Sequence, residues 1–118
     1  MNVAYVVIAI ITVVINAVIA GADYLRAPFV LANSAEVNVP PAWLPWLATS
    51  KAAGALGVLV GLVADRPTLV TVAAAGLTLF FVGAIVFHVR ARVFYNLAFP
   101  GLFLAAAVAT LALAAGQT

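Results

Sequence analysis

The chain has 118 residues, of which 68% are hydrophobic and 7% charged, with a formal net charge of +2 and no cysteine. No soluble fold hides that much apolar surface, and the missing thiols exclude disulfide frameworks, thiol redox chemistry and cysteine-held metals. The positive balance comes from five scattered cations rather than a basic patch, so nucleic acid is not an expected partner.

Four apolar runs organise the sequence, at 3–22, 44–64, 68–88 and 97–115. Each is about 20 residues, enough to cross about 30 Å of hydrocarbon at 1.5 Å per residue. Stretches such as Val6-Val7-Ile8-Ala9-Ile10-Ile11 do not alternate polar with apolar, which excludes barrel strands. In lipid the backbone must satisfy its own hydrogen bonds within the segment, so the runs are helices. The expected fold is all-α, an integral membrane four-helix bundle running up-down-up-down, with one domain over 1–118. Ala20-Gly21-Ala22 has the form of a signal cleavage site, but Met1–Tyr5 carries no Lys or Arg and the apolar stretch exceeds a usual signal core. We read it as a true first span.

Span 1 is interrupted by Asn16. The stretch 23–43 follows, with Asp23, Arg26 and Glu36 and with Pro28, Pro40 and Pro41 as breakers. Within it, Ala27–Ala32 is apolar enough for a short interfacial helix with Pro28 in its first turn. Trp43 and Trp46 stand where an aromatic belt is expected. Span 2 carries Lys51 near its start and Gly54, Gly57 and Gly61 beyond it. Asp65-Arg66-Pro67-Thr68 is a tight turn into span 3, which ends in His88, Arg90 and Arg92. Span 4 follows Tyr95-Asn96 and accommodates Pro100 in its first turns.

Alternating spans gather Asn16, Asp23, Arg26, Lys51, His88, Arg90 and Arg92 towards one polar end, with Tyr95 and Asn96 beside them. Lys51 is the sharpest clue, because a charge inside a span costs about 2.5–3.5 kcal/mol at the helix centre on insertion scales. Asp23 is its expected counter-ion. Asn16 and Asp23 are seven residues apart and share a face of span 1. Snorkelling of Lys51 to the headgroups is the competing reading. A lone His88 cannot build a zinc site or hold a haem between two imidazoles, so no metal and no catalytic residue is assigned. Arg90 and Arg92 read as cytoplasmic-side charges or lipid-phosphate contacts, putting the polar end in the cytoplasm by the positive-inside tendency.

Small residues let helices approach closely. Ala53, Gly54, Gly57 and Gly61 form such a face on span 2, and Gly101 with Ala105 on span 4. These are the candidate packing or partner faces.

Pro40-Pro41-Ala42-Trp43-Leu44, Ala53–Gly61 and Leu79–Arg90 together resemble the DoxX-like family of small four-helix bacterial membrane proteins. The resemblance implies a four-helix membrane bundle. It also implies company: one member of the family is a subunit of a quinone-linked sulfur oxidoreductase, and others accompany larger enzymes or act as membrane cargo adaptors. Where the family often has Glu just before the Gly-Ala-Leu run, Ser50-Lys51-Ala52 offers no carboxylate. With one Lys against four Arg and abundant Ala, Val and Gly, the composition is of the high-GC bacterial kind, and the expected location is the cytoplasmic (inner) membrane.

Two functions are carried forward. One is a non-enzymatic accessory subunit, without cofactor, that contacts membrane lipids and docks by its small faces onto a larger membrane complex, a lipid or envelope transporter or a respiratory assembly. The alternative is a redox-associated protein binding a quinone or lipid headgroup through Lys51, His88 and Arg90, with Phe80, Phe81 and Phe87 along the tail.

Overall fold

A computed structural model describes residues 2–118. Five α-helices follow one another: α1 (Val3–Tyr24), α2 (Pro28–Glu36), α3 (Leu44–Val63), α4 (Pro67–Arg90) and α5 (Ala98–Ala115). A 3₁₀ turn, Pro41–Trp43, leads into α3. All but α2 are long and apolar enough to cross a membrane. The molecule measures 41 × 25 × 18 Å, its long dimension close to the 40–45 Å of a bilayer with its headgroups. It is a multi-pass membrane protein.

Start signals explain the helix boundaries. Asn2 caps α1 by accepting hydrogen bonds from the backbone N–H of Ala4 (2.8 Å) and Tyr5 (3.4 Å). Proline opens α2, α3 and α4 within the first two positions, where its missing N–H costs nothing. The stops are less conventional. Each of α1 to α4 ends with a non-glycine residue in the left-handed region: Arg26 (φ 52°), Asn38 (63°), Asp65 (54°) and Arg92 (57°). Each end has the paired bonds of a Schellman motif. In the last, Val93 N–H donates to the His88 carbonyl (2.9 Å) and Arg92 N–H to that of Val89 (3.1 Å).

The bundle closes in a ring in which α1 packs on α3 and α5, and α4 packs on the same two helices. Leu77 and Phe81 of α4 fill the middle with Val58 of α3 and Phe103 of α5. Outside, Val18, Leu56, Val72, Leu79 and Leu102 are exposed, as a lipid-facing wall requires. Apart from Thr12, which reaches across to α5, the hydroxyls of several threonines and one serine within the spans are satisfied locally. Thr49, Ser50, Thr71, Thr78 and Thr110 each donate to the carbonyl four residues earlier in their own helix.

The α3–α4 seam is made by glycine. A Cβ on Gly57 would stand 2.8 Å from Ala73 Cβ. One on Gly61 would stand 2.7 Å from Val70 Cγ2 and 2.9 Å from its backbone nitrogen, and one on Gly54 would collide with Leu77. The glycine face of span 2 is therefore occupied inside the bundle. Ala53 and Ala105 face outward, and Gly101 is half-buried with nothing within 4 Å of a Cβ there. The residues α5 turns inward are instead Phe103, Ala107, Thr110 and Ala114. A register step of two residues separates the expected small face from the one that packs.

Candidate functional site

The last turn of α1 and the second turn of α3 meet through charge. Lys51 Nζ donates to Asp23 Oδ2 at 2.7 Å, with the lysine side chain 12% and the aspartate 4% exposed. Lys51 Nζ also lies 5.2 Å from the centre of the Phe80 ring, a cation–π contact from α4. Lysine is thus drawn inward onto Asp23 and Phe80. Nearby, the Tyr24 and Thr49 hydroxyls share a 2.6 Å hydrogen bond between the same two helices.

His88, in the last turn of α4, is 3% exposed. Its Nδ1 lies 2.9 Å from the Ala84 carbonyl. A carbonyl can only accept, so Nδ1 carries a proton, and in the neutral imidazole Nε2 is then an acceptor. That Nε2 is buried and has no hydrogen-bond partner.

These groups border a cavity of about 590 Å³, within the 300–1,000 Å³ range of ligand pockets. One of its walls is α2, whose Val30 and Ser34 are buried while Phe29, Asn33 and Glu36 line the space. The loop before α5 ties this helix down. Tyr95 OH donates to Glu36 Oε1 (2.7 Å) and Oε2 (2.9 Å), and Asn96 Nδ2 donates to Asn33 Oδ1 (2.9 Å). Aromatic rings complete the wall: Trp43 meets Phe87 edge-on at 6.2 Å, and Phe80 and Phe99 rest against Phe81 and Phe103. Most of the lining is apolar, with a few polar groups converging on it.

Of the residues singled out by sequence, Asp23, Lys51 and His88 line this cavity. Asn16 does not. It is fully buried deeper in α1, where its Nδ2 donates to the Thr12 carbonyl (2.9 Å), one turn from the Thr12–Thr110 hydroxyl pair (2.8 Å) joining α1 to α5. Arg26, Arg90 and Arg92 are exposed and lie outside the lining. Arg26 and Arg92 hold the left-handed positions that end their helices, which turns them away from the bundle. Phe80 and Phe87 line the cavity, but Phe81, about 100° further round the helix than Phe80, is a core residue. Trp43 belongs to the cavity wall, whereas Trp46 is 75% exposed, as a belt residue should be. Sequence reasoning missed Asn33 and the site role of Glu36. Their spacing of three on a short helix beginning at Pro28 was the available signal, since it puts both on one face.

The Tyr95–Glu36 contact titrates. The phenol is held above its ordinary value of 10.0, first by hydrogen bonding to the Glu36 carboxylate, then by burial, then by the negative charge of Glu36. A raised acid favours the folded form while protonated. The stabilisation is complete below pH 10 and is lost as pH rises through the raised value. Glu36→Gln should lower the Tyr95 phenolate transition, read by ultraviolet absorbance as the difference from Tyr95→Phe, towards the ordinary tyrosine range. An unchanged transition in that variant would remove the contact as the cause.

A membrane helical bundle with a mainly apolar cavity and a buried ion pair at its edge defines the class. The chain belongs to the DoxX-like family, which matches it over residues 7–110. No curated protein and no solved structure matches it.

Proposed function

We propose that the protein binds a small amphipathic molecule of the membrane, a quinone or the headgroup of a lipid, in the cavity beneath α2. The observation that carries this reading is the convergence of Asp23, Lys51 and His88 on a cavity of about 590 Å³ whose remaining wall is mostly apolar and aromatic. Such a lining suits a flat head with an apolar tail: Phe80, Phe87 and Phe99 offer ring faces and edges, and the few polar groups orient the head. A bound quinone would bring reversible two-electron chemistry. The chain's own part is to hold the head by charge and hydrogen bonds and to keep water out. Arg90, outside the lining, has no part in this.

Gly83 provides the test. It lines the cavity, and a Cβ there meets nothing within 4 Å, so a large side chain grows into empty space. Gly83→Leu should leave thermal unfolding in detergent close to wild type and abolish copurification of quinone or lipid from native membranes. Undiminished copurification by the folded variant would refute the site.

A second reading, the accessory subunit of a larger membrane complex, has its own support in a shallow groove between α3 and α4. Small residues line much of it, including Ala53, Gly54, Ala73 and Gly76. Such a groove admits a partner helix closely. A bulky substitution of outward-facing Ala53 should release any partner that gentle detergent extraction recovers, while ligand copurification persists. A native mass showing only a monomer or homodimer in wild type would count against this reading.

A further inference from the structure

The proposed cavity has a chemical preference, which rests on its being a ligand site. Besides His88 and Tyr95, its ionisable lining sets one cation, Lys51, against two carboxylates, Asp23 and Glu36. Lys51 is already paired with Asp23 at 2.7 Å, and Glu36 already accepts from Tyr95. The three arginines of the polar end, which would attract a phosphate, lie outside. An anionic head entering here would meet a net negative wall.

The unmet demand is for a donor. The Ala84 carbonyl fixes a proton on His88 Nδ1, so the neutral imidazole can use Nε2 only to accept, and Nε2 has no partner. Asn96 Oδ1, also buried and without a partner, is a second acceptor in the same lining. A buried acceptor left unpaired is costly, and a guest that donates to it removes the cost. His88 lines the cavity, so the donor its ring lacks is one that a guest there is placed to supply. Lys51, with one N–H committed to Asp23, retains donors of its own. A hydroxyl is the simple neutral group that donates to one such partner and accepts from the other.

We propose that the cavity selects neutral ligands bearing a hydroxyl donor on an apolar tail, with His88 Nε2 as the acceptor, over carbonyl-only and anionic counterparts. A hydroquinone and a monoacylglycerol both carry that chemistry, from a redox carrier and from a lipid.

The test measures binding to the full chain in nanodiscs, through quenching of Trp43 fluorescence in a Trp46→Phe background. The probes are an alkyl-tailed benzohydroquinone kept reduced, the matching benzoquinone, a monoacylglycerol and a phosphatidic acid. The hydroquinone should bind about tenfold more tightly than the quinone, the scale of one buried hydrogen bond. His88→Phe should bring that ratio to about one, and His88→Gln, whose amide oxygen can accept, should restore most of it. Tight binding of the monoacylglycerol but not the hydroquinone supports the proposal with a lipid as source; the reverse supports it with a redox carrier. Measurable and equal binding of hydroquinone and quinone by wild type, or strongest binding of phosphatidic acid, overturns the preference while leaving the cavity a ligand site. Binding of none of the four overturns both. If His88→Phe does not fold, His88→Gln together with the wild-type ratio still decides.

Discussion

Asp23→Ala should destabilise the fold by about 3–5 kcal/mol, the scale for removing one partner of a buried ion pair. The reason lies with what remains. Lys51, 12% exposed and inside a membrane-length helix, would be left without its counter-ion. Its other close neighbour is the Phe80 ring, which shields the ammonium but cannot neutralise it. Lys51→Met should be harmful for the mirror reason, because Asp23 is the more buried of the two. The double variant Asp23→Leu with Lys51→Met should recover most of the loss, since a well-packed apolar pair of similar volume often equals a buried salt bridge. Denaturant titration in detergent, followed by circular dichroism, gives the three values. If the double variant is as unstable as Asp23→Ala, a stranded buried charge is not the cause of the loss.

Gly61→Ala should cost about 1–3 kcal/mol, as overpacking does in a tight core. The added carbon would meet Val70 Cγ2 at 2.7 Å and, more stubbornly, the Val70 backbone nitrogen at 2.9 Å and the Arg66 carbonyl at 3.1 Å. A side chain can rotate away; two backbones must separate. Gly101→Ala is the control. Nothing lies within 4 Å of the new carbon, and alanine is the better helix former. That variant should match or slightly exceed wild type in the same titration. Equal losses at both positions would mean that the close approach of α3 and α4 at Gly61 does not set the effect.

The spans were legible because hydrocarbon imposes its own length. The expected runs at 44–64 and 97–115 differ by a residue or so from the helices Leu44–Val63 and Ala98–Ala115. The short helix was foreseen from Pro28 but extends to Glu36, beyond the expected Ala32, because Asn33 and Glu36 gain partners in the loop before α5. Helix ends were harder. The usual C-terminal signal is glycine, and these turns place Arg26, Asn38, Asp65 and Arg92 there instead. Nor could the sequence divide the polar residues by depth and direction. Lys51 and Arg90 are both cations near a helix end, yet one is drawn into the bundle by Asp23 and Phe80 while the other faces out. Polarity locates an end of a bundle; pairing across helices decides what points inward.

The glycine seam also bears on how a guest would get in. With backbones of α3 and α4 nearly touching at Gly61 and Val70, those two helices behave as one stiff plank. Lifting α2 away asks less, since the polar attachments it makes to the loop before α5 come from two side chains, Glu36 and Asn33. If the proposed site is filled, its guest should enter on the side of the short helix, and exchange should quicken when Tyr95 or Asn96 loses its grip.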